Sequence, residues 1–445
     1  MKITVIGCGR LGTPFAVSLA EMGHNVLGVE TDPDTLAALQ MGRCPFEEPG
    51  IEGYIRANIE RGRLRFTASY DDAAEHGDVH FLAVPTPQQN GSNAADLTAV
   101  ELSLNSLVKA LVRDAVVIGK SSVPVGTAKR MAELAATVTP PGVHVSIGWN
   151  PDFLRESVSM SDALRPSRII VGVDDADDGT VEKVAREIFA PFTDAGVELL
   201  VTNYVTAELA KGAANAFLTT KISYINFVDE VCRLAGADID VVSRCLGLEP
   251  RIGAWGLTAG LGWGGSCLGK DLRAFTFRAK ELGAGSFVEV LRQVDELNLA
   301  RRQLAVDHAS EVIGGDLRGV SIAIWGGSFK PGMGDISDSP ALDVALRLCE
   351  RDARVFLFDP GANDLIRLKY PEIHVMSCAE DAVAPSQLLM VLTDWPEFAR
   401  IDPSSVNALT PARVVIDARR CLDADKWRSA GWTYEPLGYR SSSRP

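Results

Sequence analysis

Apolar and polar positions along the first half of the chain alternate between two rhythms. Short apolar runs at residues 2–6, 25–29, 80–84, 115–120, 143–148 and 168–173 predict strands. Residues 12–22 carry the apolar spacing of a helix. Strand, helix, strand in succession is the pattern of a parallel sheet with crossover helices. From Tyr204 to about Leu246 the pattern turns helical with few breakers, and residues 272–308 read as helical again. This middle part reads as a helical connector that includes a long helix. Its apolar face suits a dimer interface or an intramolecular core equally well. Near Leu317 the first rhythm returns: a strand at 320–325, a Gly326-Gly327 turn, a helix at 339–349 opened by Pro340, and a strand at 354–358 ending in Asp359. That echo of the opening reads as either a second ligand-binding layer or a plain α/β layer, because fold alone does not imply function. The chain is expected to divide into 1–203, 204–316 and 317–445. Ser441 to Pro445 is expected to be a disordered tail.

Composition narrows the class. The 445 residues suggest two or three domains with their own cores. A net charge of −14 argues against a nucleic-acid partner. Met1-Lys2 runs straight into an apolar strand, so no secretory signal is expected, and no apolar run reaches membrane-spanning length. Eight cysteines without CxxC or His/Cys metal spacing point to a reduced, cytoplasmic enzyme with no metal. Cys8, Cys232, Cys245 and Cys349 lie in apolar sequence and read as small core residues.

Gly7-Cys8-Gly9-Arg10-Leu11-Gly12 matches GxGxxG between a strand and a helix. Gly7 permits the tight turn, Gly9 lets a pyrophosphate approach the backbone, and Gly12 lets helix and strand pack closely. Glu30 ends the second strand at the spacing of a ribose-binding acid. Thr31 and Asp32 follow it, with no arginine to receive a 2′-phosphate. NAD is therefore expected over NADP.

Further segments carry polar residues that a core would not choose. Gly264-Gly265-Ser266-Cys267-Leu268-Gly269-Lys270-Asp271 puts an accessible thiol in a glycine-rich loop with a lysine close behind. Asp152 and Glu156, four apart, share a face if their segment is helical, which suits either catalysis or a solvated surface. Lys211 and Asn215, also four apart, suit a developing oxyanion, although Lys211 could simply snorkel to water. A dinucleotide site with a nucleophilic cysteine suggests oxidation through a covalent intermediate.

Together these segments resemble the UDP-glucose/GDP-mannose dehydrogenase family over nearly the whole chain. The motifs occur in family order: Gly7 to Gly12, Val84-Pro85-Thr86-Pro87, Lys120 to Thr127, Asn150 to Glu156, and Arg165-Pro166-Ser167-Arg168. The Lys211/Asn215 helix, Pro250-Arg251-Ile252-Gly253, the Cys267 loop, Phe329-Lys330-Pro331 and Leu392 to Phe398 complete the series. The resemblance implies a Rossmann NAD-binding domain, a central helical dimerisation domain carrying the cysteine loop, and a Rossmann-like domain for the nucleotide sugar.

It also implies oxidation of C6 of a nucleotide sugar to the uronate with two NAD, through a thiohemiacetal and a thioester on Cys267. UDP-glucose is the expected substrate, with dTDP-glucose, GDP-mannose or another nucleotide sugar as alternatives. By the same resemblance, Lys211 and Asn215 hold the oxyanions and Asp271 orients a water or acts as base. Asp152 and Ser122 hold a water, and Glu156 stands beside nicotinamide and substrate. Cofactor contacts carry over to Gly7, Gly9, Leu11, Gly12, Glu30, Thr35, Thr86, Ser122, Glu156, Lys270 and Ser337. Substrate contacts carry over to the run Asp152, Phe153, Leu154, Arg155, Glu156, and to Lys211, Asn215, Lys330 and Arg419. The covering loop supplies Gly256, Leu257, Thr258, Ala259, Gly260 and Gly264. Arg251 matches an arginine that reaches a neighbouring subunit's substrate, which implies a homodimer.

The chain departs from the family pattern with aspartate at 152, serine at 122, serine at 337 and methionine at 333. Two competing readings are a β-hydroxyacid dehydrogenase, which performs one oxidation without a cysteine, and a non-catalytic sensor. Cys267 counts against the first. Retention of Cys267, Lys211, Asn215 and Asp271 together counts against the second.

Overall fold

The structure is a computed structural model that describes residues 1–176, 178–410 and 413–438. The tail expected at 441–445 lies outside the described residues. The described chain forms two compact units. The first holds Met1–Ala214 and Arg273–Gly283; the second holds Asn215–Leu272 and the described chain from Ala284 onward.

The first unit is built on eight strands: β1 (Lys2–Ile6), β2 (Asn25–Val29), β3 (Leu64–Thr67), β4 (Val79–Leu82), β5 (Ala115–Gly119), β6 (Val145–Trp149), β7 (Ile169–Val173) and β8 (Leu199–Asn203). Their order is β3-β2-β1-β4-β5-β6-β7-β8, and only the β6–β7 pair is antiparallel. The first six strands follow the doubly wound order, whose ligand site lies at the carboxyl ends where the strand order reverses. β1 and β4 meet at that point. These strands read as continuous apolar runs because helices cover both faces of a parallel sheet. Ile3, Val5, Phe15, Val17 and Leu19 lie in one core cluster between sheet and first helix.

The second unit carries β9 (Ser321–Trp325), β10 (Arg354–Phe358), β11 (His374–Val375), β12 (Leu388–Val391), β13 (Val414–Asp417) and β14 (Thr433–Pro436). All its pairs are parallel, in the order β11-β10-β9-β12-β13-β14. The echo seen in the sequence is thus a second doubly wound sheet. Pro340 opens its first helix, Pro340–Glu350, and the Ser339 side chain accepts from Leu342 N–H as the cap.

The long helix is Tyr204–Ala235, 32 residues without an internal proline. It ends at Ala235, ahead of Gly236 at φ 75°, so the expected run to Leu246 is two helices, the second being Ile239–Leu248. The stretch expected to be helical over 272–308 is likewise divided into Leu268–Glu281 and Val288–Ile313. Gly283 at φ 82° turns the chain there. Cys8 and Cys232 are buried as expected and Cys349 is half-buried, but Cys245 is exposed on its short helix.

Candidate functional site

At the carboxyl end of β1 the chain reverses through Gly7 at φ 89°. A Cβ there would stand 2.8 Å from the Ala83 carbonyl oxygen, and one on Gly12 would overlap the Gly7 carbonyl. Only glycine fits either position. A Cβ on Gly9 meets nothing within 4 Å, which leaves the outer side of the turn open. The helix Gly12–Glu21 starts here with no acidic residue in its first turn, so its positive end is unneutralised. Glu30 holds the loop: Oε2 accepts from Cys8 N–H at 3.0 Å and Oε1 from Asp32 N–H at 2.9 Å. Carboxylate oxygens each accept more than one bond, so capacity for ribose hydroxyls remains. Asp32 caps the next helix by accepting from Thr35 N–H at 2.8 Å. Thr86 Oγ1 donates to the Ser122 carbonyl at 2.9 Å, joining the loops after β4 and β5.

The segment 151–155 is not helical, contrary to the expectation that Asp152 and Glu156 share a helix face. Side-chain acceptors capture the N–H groups a helix would use. Arg155 N–H donates to Asp162 at 2.9 Å, and Ser157 and Ser159 N–H donate to Glu48 at 2.9 and 2.8 Å. Arg155 also forks onto Asp162 through its side chain. Asp152 instead turns to Lys120, 3.7 Å away. Phe153 lies under two cations, Arg168 at 4.0 Å and Lys211 at 5.4 Å from its ring centroid. Glu208, one turn before Lys211, is buried and accepts from Gly126 and Ala128 N–H at 2.7 and 2.6 Å. It caps the helix Thr127–Val138 and ties the lysine's helix to the Ser122 loop. Sequence reasoning gave Glu208 no role, and placed Lys120 at the head of a motif without giving it one. The available signals were an acid at i−3 from Lys211 and a lysine closing the apolar run 115–119.

In the second unit, Cys267 is exposed and immediately precedes the helix Leu268–Glu281. Its Sγ stands 3.4 Å from Ser266 Oγ. The first amides of a helix favour negative charge at that position. One turn in, Asp271 is buried; its Oδ2 accepts from Asn215 Nδ2 at 2.7 Å and its Oδ1 pairs with Lys270 Nζ at 2.9 Å. An amide carries two N–H donors, so one bond to Asp271 leaves Asn215 a second. Gly265, at φ 88°, donates to the Ser337 carbonyl at 3.1 Å, so Ser337 fixes the cysteine loop through its backbone.

The covering loop is pinned by buried polar side chains. Asn226 accepts from Gly260 N–H at 2.8 Å, Arg301 donates to the Gly260 carbonyl at 3.0 Å, and Asn298 bonds Trp263 in both directions. Leu257 and Ala259 are buried in the helical core, which leaves Thr258 as the exposed side chain of the five-residue stretch 256–260. Arg251 is exposed and forks onto Glu249. Lys330 lies over the Phe329 ring at 5.5 Å. Arg419 is enclosed, donating to the Leu392 and Gly262 carbonyls at 2.8 and 2.9 Å, while its remaining terminal nitrogen has no hydrogen-bond partner among the described residues. A buried guanidinium with an orphaned donor is a ready anion site. Asp359 differs from its counterpart Glu30. It is fully buried and accepts from Gly327, Ser328, Gly361 and Ala362 N–H and from Trp395, so its oxygens hold the turn itself together.

A doubly wound sheet, an open glycine turn at a helix N-terminus and an acid placed for a ribose define an NAD-dependent oxidoreductase. NAD fits the residues present: Gly9 leaves room for the pyrophosphate, and no arginine stands in the Glu30–Asp32 turn for a 2′-phosphate. The chain belongs to the UDP-glucose/GDP-mannose dehydrogenase family. Residues 1–193 match its NAD binding domain, 205–300 its central domain and 323–424 its UDP binding domain. A UDP-glucose 6-dehydrogenase of Rhizobium meliloti is 35% identical over 98% of this chain and 99% of its own length. One of Bacillus subtilis is 35% identical over 99% of this chain and 98% of its own. A UDP-glucose dehydrogenase structure from Pyrobaculum islandicum superposes with a TM-score of 0.90 at 31% identity, covering 99% of this chain and 98% of that one.

Proposed function

We propose that this enzyme oxidises C6 of UDP-glucose to the carboxylate of UDP-glucuronate, through a covalent adduct on Cys267. The observation that carries the reading is an exposed thiol at a helix N-terminus, one turn from a buried Asn215–Asp271 pair. Bound NAD supplies a hydride acceptor for each of two oxidations. Lys211 assists loss of the hydroxyl proton in the first. An aldehyde cannot lose a second hydride until a nucleophile adds to it. The Cys267 thiolate therefore bonds C6, and the carbonyl electron pair moves to oxygen, where Lys211 and Asn215 stabilise it. Oxidation of that thiohemiacetal gives a thioester. Water held by Asp152 and Ser122 then attacks C6, the C–S bond breaks, and the thiolate returns as the water's proton passes to Asp271.

Supporting the substrate are the named relatives and the orphaned donor of Arg419. The nucleotide is assigned to 317–445, the cofactor to 1–203 and the cysteine loop to 204–316; in support, each of the three family matches lies within one of these ranges. A homodimer is supported by an apolar stripe on the long helix: Phe217, Tyr224, Phe227, Val231 and Leu234 recur at helical spacing and are exposed, Phe217 by 68% and Leu234 by 75%. A cytoplasmic location is supported by eight cysteines that stand free of disulfides. Among the described residues no helix is long and apolar enough to cross a membrane.

The test counts NADH per sugar with UDP-glucose, dTDP-glucose and GDP-mannose. Two NADH and an acid from UDP-glucose are expected. One NADH with an aldehyde or keto product refutes the reading. Cys267→Ala is expected to release no uronate at the native rate.

A further inference from the structure

Lys120 is buried in the first unit, 6% exposed where the chain leaves β5. Its Nζ donates to Asn150 Oδ1 at 3.2 Å and lies 4.4 Å from the Phe15 ring centroid. Asp152 Oδ1 stands 3.7 Å from Nζ, an ion pair longer than a hydrogen bond. That oxygen is buried and accepts no hydrogen bond from any described residue. Lys120 pairs with this carboxylate, and Arg168 and Lys211 lie over the neighbouring Phe153 ring. Burial pushes the Lys120 ammonium down from its ordinary range, and Asp152 pushes it back up. An ammonium enclosed this tightly is costly unless it serves a partner.

We propose that Lys120 is a positioning residue that fixes the Asp152 carboxylate, so that Asp152 can hold the hydrolytic water. The inference rests on the thioester reading above. In the step it serves, the water oxygen bonds C6, the C–S bond breaks, and Cys267 leaves as thiolate. The Asp152 carboxylate offers that water two acceptor oxygens and aims its lone pair; protonation takes one of those acceptors away.

The experiment begins with NADH per sugar in the native enzyme. A value of one sinks the thioester reading and this proposal with it. Given two, Lys120→Met, Lys120→Arg and Asp152→Asn are compared by kcat against pH, by NADH affinity, and by the fraction of enzyme trapped as a Cys267 adduct on acid quench during turnover. Lys120→Met is expected to bind NADH, to lose roughly tenfold to a hundredfold in kcat, and to shift its acid limb up by roughly one to three pH units. Its trapped fraction rises, because hydrolysis alone is slowed, and Lys120→Arg restores the native limb. A purely structural role would lower every step and leave the trapped fraction unchanged. If Lys120→Met does not fold, the pair Lys120→Met with Asp152→Asn removes both charges together, which buried pairs tolerate better. That pair is expected to match Asp152→Asn alone. NADH-competent Lys120→Met with native limb and trapped fraction overturns the proposal, as does a pair tenfold slower than Asp152→Asn.

Discussion

Gly9 and Gly12 lie three residues apart in one loop, yet alanine at each should fail differently. At Gly12 the new Cβ would overlap the Gly7 carbonyl oxygen and crowd Ala83 Cβ at 3.3 Å. Neither partner is the end of a flexible side chain, so the helix must lift off β1 by well over an ångström. Overpacking of this kind costs roughly 1–3 kcal/mol and often more. Gly12→Ala should therefore lower both the melting temperature and NAD affinity. At Gly9 the new Cβ meets nothing within 4 Å, and its φ lies outside the left-handed region. Stability should hold or rise slightly, since alanine restricts the unfolded chain by about 0.4–1 kcal/mol. The methyl group would fill the space needed for close approach of the pyrophosphate. Loss of two amide–phosphate bonds at about 1.5–3 kcal/mol each weakens NADH binding by roughly a hundredfold or more. Fluorescence titration with NADH and a thermal melt on both variants decide the matter. A stable Gly9→Ala that binds NADH like the native enzyme would place the pyrophosphate elsewhere. A Gly12→Ala with unchanged melting temperature would refute the packing argument.

Two further outcomes follow from other regions. His80 and His308 are buried, and burial holds them at about 3 and about 4, below the ordinary 6.5. Below pH 6.5 the unfolded chain takes up protons that the fold excludes, so stability is full above that value and is lost as pH falls toward 3. From pH 7 to 5 each histidine should remove about 2 kcal/mol, and His80→Gln should flatten the fall of the urea midpoint of the first unit. An acid loss unchanged by His80→Gln would refute the assignment. Leu234→Asp, at the C-terminal end of the exposed apolar stripe, should shift the enzyme toward monomer in size-exclusion light scattering. An unchanged mass would mean that another surface carries assembly.

Local features were legible without the structure. The glycine loop, six strands of the first sheet and two of the second, Glu30 and the Cys267 turn each depend on residues close in sequence, where backbone sterics and short spacing dictate geometry. Asp359 shows the limit of that reading. It follows β10 as Glu30 follows β2, but enclosure and six donors, the Ser328 hydroxyl among them, make it a structural acid. Asp152 shows the limit again: four-residue spacing suggested a helix face, and Glu48 and Asp162 captured the N–H groups that would have formed one. Sequence by itself determined the fold class, the cofactor and the family, because those rest on periodicity and contiguous motifs. Tertiary structure alone decided which charges share a buried environment. Lys120 meets Asp152, and Glu208 reaches the helix Thr127–Val138, because burial in a low-dielectric interior forces each charge to find a partner distant in sequence.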